Sequence, residues 1–312
     1  MSTARQTIGR RTAEDIILRA TDSRERLTVE DLTVSFARGG RRISAVRGVS
    51  FSLVAGRTLV LLGESGSGKS VTARSILRLH DGAAEVGGSI RLGEEELTAL
   101  SERTMRQLRG AAIGMVPQDP SGSLDPLQRI GKQIVEVLQR HVIETDEARA
   151  RGHAAELLGR VGIPDPARVM RAYPFELSGG MRQRVAIAIA VACRPRVLIA
   201  DEPTTALDVT VQAQVLELFA ELQRDLDMAL LLVTHDVGVA RVIGDEVAVM
   251  YAGRLVESGP VAQVLGEPAH PYTAGLLDAL PTPGVPRGLL RAIPGRPPGP
   301  DEVVSGDVCA FA

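Results

Sequence analysis

The stretch Gly63-Glu64-Ser65-Gly66-Ser67-Gly68-Lys69-Ser70 constrains this chain more than any other. It fits G-x-x-x-x-G-K-[ST], and its surroundings give that pattern physical meaning. Before it, Thr58-Leu59-Val60-Leu61-Leu62 reads as a buried strand; after it, residues 70–79 read as a helix. In such a strand–loop–helix, glycines let successive backbone N–H groups turn inward on phosphate oxygens. The helix N-terminus adds partial positive charge. Lys69 then reaches β- and γ-phosphates, and Ser70 offers its hydroxyl to Mg²⁺. Gly63, Ser65, Gly66, Ser67, Gly68, Lys69 and Ser70 are therefore expected to cradle a nucleoside triphosphate.

Composition excludes several alternatives. At 312 residues, with 44% hydrophobic and 24% charged residues, the chain has the make-up of a soluble globular protein. Its net charge of −2 gives no basic excess, so nucleic acid is not expected as a partner. No apolar run approaches the roughly 18–20 residues needed to span a bilayer. Two cysteines, Cys193 and Cys309, cannot form a disulfide framework. Lys69 and Lys132 are the only lysines, which makes one inside the glycine-rich loop more telling.

The pattern along the chain predicts an α/β fold. Residues 1–26 are polar and Arg/Thr-rich and read as a tail or a loosely docked helix. From Leu27, alternation through Val29, Leu32, Val34 and Phe36, then Ile43, Val46, Val49, Phe51 and Leu53, predicts antiparallel strands turning at Gly39-Gly40. Strands then alternate with helices, which implies a mostly parallel sheet covered on both faces. Between about 119 and 193 the grain becomes helical, with Ile130, Ile134, Val137 and Leu138, then Ala154, Leu157, Leu158 and Val161, at helical spacing. The predicted organisation is a tail at 1–26, a nucleotide-binding domain at 27–266 containing that helical insert, and an extension at 267–312. From Pro268 onward proline and glycine predict that regular structure thins out.

Four further elements carry chemistry if they converge on the loop. Asp201 and Glu202 end the buried strand Val197-Leu198-Ile199-Ala200: Asp201 fits a Mg²⁺ ligand and Glu202 a base for the attacking water. Alone, they read equally well as solvated acids at a strand end. Ser178, Gly179 and Gly180 open a helix and fit a second anion site, or an ordinary N-cap. His235 follows a buried strand and fits a γ-phosphate contact, or the cap of the next helix. Gln118 fits a reach to metal or water, or a surface turn.

Together these residues resemble the nucleotide-binding subunit of an ATP-binding-cassette (ABC) transporter over roughly 27–280. The resemblance maps the family's phosphate loop, Q-loop, signature, second acidic motif, D-loop and H-loop onto residues 63–70, Gln118, Leu177-Ser178-Gly179-Gly180-Met181, 197–202, Ala206-Leu207-Asp208 and His235. Met181 stands where glutamine is more usual. Phe36, 27 residues before Gly63, fits the family's adenine-stacking aromatic as well as it fits a core position. The resemblance implies a P-loop NTPase of RecA-like topology with an antiparallel β subdomain. It implies ATP and Mg²⁺ as cofactors, with Ser70, Gln118 and Asp201 at the metal. It also implies head-to-tail pairing with a second ABC ATPase subunit or domain, so that Ser178 and Gly180 act at the partner's ATP, and it places Gly179 and Asp208 among the nucleotide-binding residues.

The segments Pro117-Gln118-Asp119-Pro120, Ser123-Leu124-Asp125-Pro126 and His270-Pro271-Tyr272-Thr273 are similar to the oligopeptide/dipeptide importer branch, which also moves nickel and other small solutes. That branch implies two membrane permease subunits, an external substrate-binding protein and a peripheral position on the cytoplasmic face of the membrane. A soluble ABC ATPase outside transport is the more distant alternative. Val308-Cys309-Ala310-Phe311 resembles the start of a cysteine cluster that holds an iron–sulfur centre in some relatives. Such a centre needs about four thiolates, so no bound cluster is expected here.

Overall fold

The computed structural model describes residues 12–14, 16–17, 25–38, 41–80, 84–205, 207–280, 293 and 311. The alternating stretch forms β1 (Glu25–Arg38) and β2 (Arg41–Val54), paired antiparallel. The predicted turn at Gly39-Gly40 lies outside the described residues. After β3 (Thr58–Leu62), β4 (Ala84–Leu92) returns to the other edge of β1, and β5 (Glu95–Glu96) extends that sheet to the order β2-β1-β4-β5.

β3 belongs to a second sheet with β6 (Ile113–Val116), β7 (Val197–Asp201), β8 (Ala229–Thr234), β9 (Glu246–Tyr251) and β10 (Arg254–Pro260). Its order is β10-β9-β3-β8-β7-β6, parallel throughout except for the β9–β10 edge. Every residue of β3, β7 and β8 is buried, which explains why they read as continuous apolar runs instead of alternating ones. Their side chains nevertheless divide by the period of two. Val60, Leu62, Leu198, Ala200, Leu230 and Leu232 enter one core cluster. Leu59, Leu61, Val197, Ile199, Leu231 and Val233 enter another, shared with the inner face of the antiparallel sheet.

Among the described residues of this α/β fold, the helices of six residues or more are α1 (Lys69–Ile76), α2 (Glu102–Leu108), α3 (Ile130–Arg140), α4 (Glu147–Arg160), α5 (Pro166–Arg171), α6 (Gly179–Val191), α7 (Val209–Leu226), α8 (Val237–Ile243) and α9 (Pro271–Asp278). Helices α3 to α6 fall in the stretch predicted to be helical, 119–193. Asp146 and Asp165 cap α4 and α5 by accepting from the Arg149 and Arg168 amides. Ile130, Ile134 and Leu138 of α3 meet Ala154, Leu157 and Leu158 of α4 in the same cluster as α6 and α7. The insert is thus continuous with the main core.

One expectation differs from what the chain does near its ends, and one is narrowed. Strand β1 begins at Glu25, and of the two readings of residues 1–26 the docked helix is the one that fits the described residues there, with Ile16 1% exposed within the second core cluster. Regular structure does not thin out at Pro268, because α9 follows. Pro271 occupies its first turn, where a missing N–H costs nothing, and His270 Nδ1 accepts from the Tyr272 amide as its cap. Tyr272, fully buried, anchors the helix.

Glu257 of β10 fixes the approach to α9 by accepting hydrogen bonds from the Ala269 and His270 amides, at 2.8 and 3.1 Å. Burial acts to raise its pKa, but the Thr273 hydroxyl and these two amides outweigh that and hold the carboxyl below its ordinary value. A lowered folded pKa gives stability that is present above the unfolded carboxylate pKa and lost as pH falls through the folded one. Glu257→Gln is expected to remove the same contribution at neutral pH. The cost is about 1–2 kcal/mol, read as a lower midpoint in urea unfolding, and the variant should lose less stability than the parent on acidification.

Candidate functional site

Three buried strands deliver the site at their carboxyl ends, where ligands bind in open α/β sheets. β3 delivers Gly63, β7 delivers Asp201 and Glu202, and β8 delivers His235. The loop after β3 is wedged against β9 and β2. A Cβ on Gly63 would lie 2.2 Å from the Met250 carbonyl oxygen; one on Gly68 would lie 2.6 Å from that of Ala45. Gly68 also has φ +105° at the start of α1, a conformation that side chains disfavour.

Lys69 is 3% exposed, and its Nζ donates to the carbonyl oxygens of Gly63 and Glu64, both at 2.8 Å. Burial lowers its pKa, opposed by the charges of Glu202, Asp201 and Glu64. Ser70 Oγ donates to Asp201 Oδ1 at 2.8 Å. Asp201 is wholly buried, which raises its pKa against the opposing Ser70 hydrogen bond. Its Oδ2 has no partner.

That orphaned oxygen tests whether Mg²⁺ fits. A hard cation takes oxygen ligands, usually one or two from protein and the rest from phosphate and water. An unpartnered buried carboxylate oxygen beside a serine hydroxyl and a lysine-held phosphate loop meets that requirement. Among the described residues no group of three or more His, Cys, Asp or Glu side chains forms a protein-only metal cage.

Glu202 turns away from Asp201. Its φ of +46° is costly for a residue with a Cβ, about 1–2 kcal/mol. It is held there by its amide donating to the Val233 carbonyl at 2.9 Å and its carbonyl accepting from Thr205 N at 3.2 Å. Its side chain, 10% exposed, points to the other half of the cavity. Oε2 accepts from Gln118 Nε2 and Thr205 Oγ1, both at 3.1 Å, and lies 3.4 Å from His235 Nδ1. Thr205 was not predicted, although its place three residues after Glu202 is within reach of such a bond.

A cavity of about 220 Å³ runs along Ser65, Gly66, Gly68, Lys69, Ser70, Gln118 and Glu202, and continues to Ser44, Ala45 and Arg47 of β2. A second, of about 570 Å³, lies between Glu64, Ser65, Gln118, Glu202, His235 and Leu276. The structure therefore brings the loop, Gln118, Asp201, Glu202 and His235 together. Ser67 is buried at the root of the loop, where its carbonyl accepts from Gly253 N.

Phe36 is not brought in. It is half-buried, its ring meets His80 edge-on at 5.9 Å, and β2 residues form the cavity wall on that side. Ser178, Gly179, Gly180 and Asp208 also lie apart from the cavity. Ser178 Oγ accepts from Met181 N at 3.3 Å and caps α6; Asp208 Oδ1 accepts from Val211 N at 3.0 Å and caps α7. A Cβ on Gly180 would lie 2.9 Å from Val211, so the two helix starts adjoin. Ala206 and Cys309 lie outside the described residues. Cys193 is buried, which pushes its thiol up to about 11.

Two family models match the chain: ABC transporter over residues 46–205, and the C-terminal region of oligopeptide/dipeptide transporters over 256–312. The chain belongs to the ABC transporter family. The cassette is 49% identical over 291 residues to the oligopeptide transport ATP-binding protein OppD of Bacillus subtilis, covering 91% of this chain and 80% of that one. It is 48% identical over 274 residues to the dipeptide transport ATP-binding protein DppD of the same organism, covering 87% and 82%. Among solved structures, the ATP-binding cassette MJ0796 in a dimeric post-hydrolysis state with ADP and Pi superposes with a TM-score of 0.68 at 26% identity, over 75% of this cassette and 98% of that chain. The chain is thus an ABC-type ATPase with the P-loop NTPase fold. Among its described residues no helix is long and apolar enough to cross a membrane.

Proposed function

We propose that this cassette is the ATP-hydrolysing subunit of a peptide importer, working at the cytoplasmic face of a membrane. The observation that carries the hydrolytic role is the placing of Glu202. Its carboxylate faces the cavity across from Lys69 and Ser70, with Gln118, Thr205 and His235 on one of its oxygens. In this reading the amides of residues 63–70 and Lys69 hold the phosphates, while Ser70, Asp201 and Gln118 hold Mg²⁺. The ion, when bound, neutralises charge on the β- and γ-phosphate oxygens. Glu202 takes the proton of the attacking water, and His235 and Gln118 fix that carboxylate and the γ-phosphate in register.

The separation of Ser178, Gly179, Gly180 and Asp208 from the cavity supports head-to-tail pairing, in which each cassette completes the other's site. ATP then biases a two-state open–closed equilibrium. The match of residues 256–312 to the peptide-transporter C-terminal region supports peptide as cargo. A groove of about 680 Å³ in the insert, lined by Leu127, Arg129, Val135, Met170 and Tyr173, supports contact with permease subunits. Leu127 there is 86% exposed and Phe175 nearby 70%.

Co-expression with permease and external binding protein tests this reading. The assembled complex should hydrolyse ATP faster when the binding protein carries peptide. Stimulation by a nickel-loaded binding protein and not by a peptide-loaded one would move the cargo to the branch's other substrates. Leu127→Glu is expected to abolish co-purification with the permeases while the subunit keeps its ATP affinity.

A further inference from the structure

The loop at residues 63–70 receives one contact from the far end of the described chain. Tyr272, in the first turn of α9, lies with its ring 4.4 Å from that of Tyr251 and 5.5 Å from that of Phe311, centroid to centroid. Its hydroxyl accepts a hydrogen bond from the Glu64 N–H at 3.1 Å. The peptide group carrying that N–H is the one whose oxygen, on Gly63, accepts from Lys69 Nζ at 2.8 Å. A peptide group is a rigid plane, so its two ends turn together. One amide thus joins a phenol on α9 to the ammonium of Lys69. Burial pushes the phenol up to about 12, which keeps the acceptor in one protonation state across physiological pH. One turn further along α9, Leu276 lines the same cavity as Glu64, Ser65 and Glu202.

We propose that Tyr272 is a positioning residue for nucleotide binding: its hydroxyl fixes the Gly63–Glu64 peptide plane, and through it the loop and Lys69. The C-terminal helix is thereby a strut for the phosphate loop. This rests on the reading of residues 63–70 as the phosphate cradle. Removing the acceptor leaves a half-buried N–H without a partner, and the plane is free to rotate toward another. The loop amides then no longer start in the orientation that phosphate requires, and that loss appears in binding, before any chemistry.

Tyr272→Phe keeps the ring packing and removes only the hydroxyl. It is expected to raise KM for Mg-ATP roughly five- to tenfold while kcat at saturating ATP stays within about twofold. An unchanged KM would overturn the proposal. So would a fall in kcat at unchanged KM, which is the mark of a smaller folded fraction. Equilibrium binding of Mg-ATP to Lys69→Ala, measured alongside, separates the two levels. Wild-type affinity in Lys69→Ala removes the cradle reading and this proposal with it; weakened binding in Lys69→Ala with none in Tyr272→Phe removes the strut alone.

Discussion

Glu202→Gln should leave the cassette able to bind Mg-ATP within about twofold of the parent affinity and slow turnover by at least about 100-fold, the scale of a lost general base. The amide of glutamine matches the carboxylate in shape and keeps an oxygen facing Gln118 and Thr205. It cannot take a proton from water. Because the side chain sits on a backbone held at φ +46° by its own hydrogen bonds, the replacement keeps its place, and the change is confined to proton transfer. Where closure depends on bound ATP, such a variant should also accumulate as a dimer with ATP, visible by size-exclusion chromatography, and revert slowly. A variant with parental turnover would take the base role away from Glu202. Loss of ATP affinity instead would make it a binding residue.

Lys69→Ala acts one step earlier. The ammonium is nearly buried and already lies on two loop carbonyls, so it is placed without further search for a phosphate entering the loop. Charge-assisted hydrogen bonds contribute about 1.5–3 kcal/mol each, and every 1.4 kcal/mol is tenfold in affinity. The expected result is a Kd for Mg-ATP raised by about 100-fold or more, by calorimetry or a fluorescent nucleotide. Stability should change little. Burial already works against the charged form of this lysine, and deleting it removes that cost along with two hydrogen bonds. Unaltered affinity would mean that phosphate is held elsewhere.

The parts of the molecule legible in the sequence are those with local causes. The strand–loop–helix at 58–76, the continuous apolar runs of β7 and β8 and the helical periodicity of the insert are each written within about twenty residues, and each formed as read. The convergence of Gln118, Asp201, Glu202 and His235 was reachable because each ends a buried strand or follows one. Phe36 shows what spacing leaves open: it fits a nucleotide contact and a core position alike, and its ring packs against the second core cluster. The β1–β2 pairing shifts register between Val34 and Ser35, so distance along the chain does not say which way the ring faces. The wall residues Ser44, Ala45 and Arg47 had no motif to announce them. α9 was hidden by Pro268 and Pro271, which look like breakers until Pro271 is seen in a first turn, where its missing N–H is no loss. The Tyr272–Glu64 bond spans 208 positions, and no local pattern carries a contact of that range.

The lysines have a practical corollary. Of the two, Lys69 is enclosed by its loop, whereas Lys132 is open to solvent on α3 beside the insert groove. Apart from the chain's amino terminus, an acylating dye therefore meets one accessible ammonium. That site lies on the segment proposed for permease contact, so a fluorophore attached there is expected to report docking without an engineered cysteine.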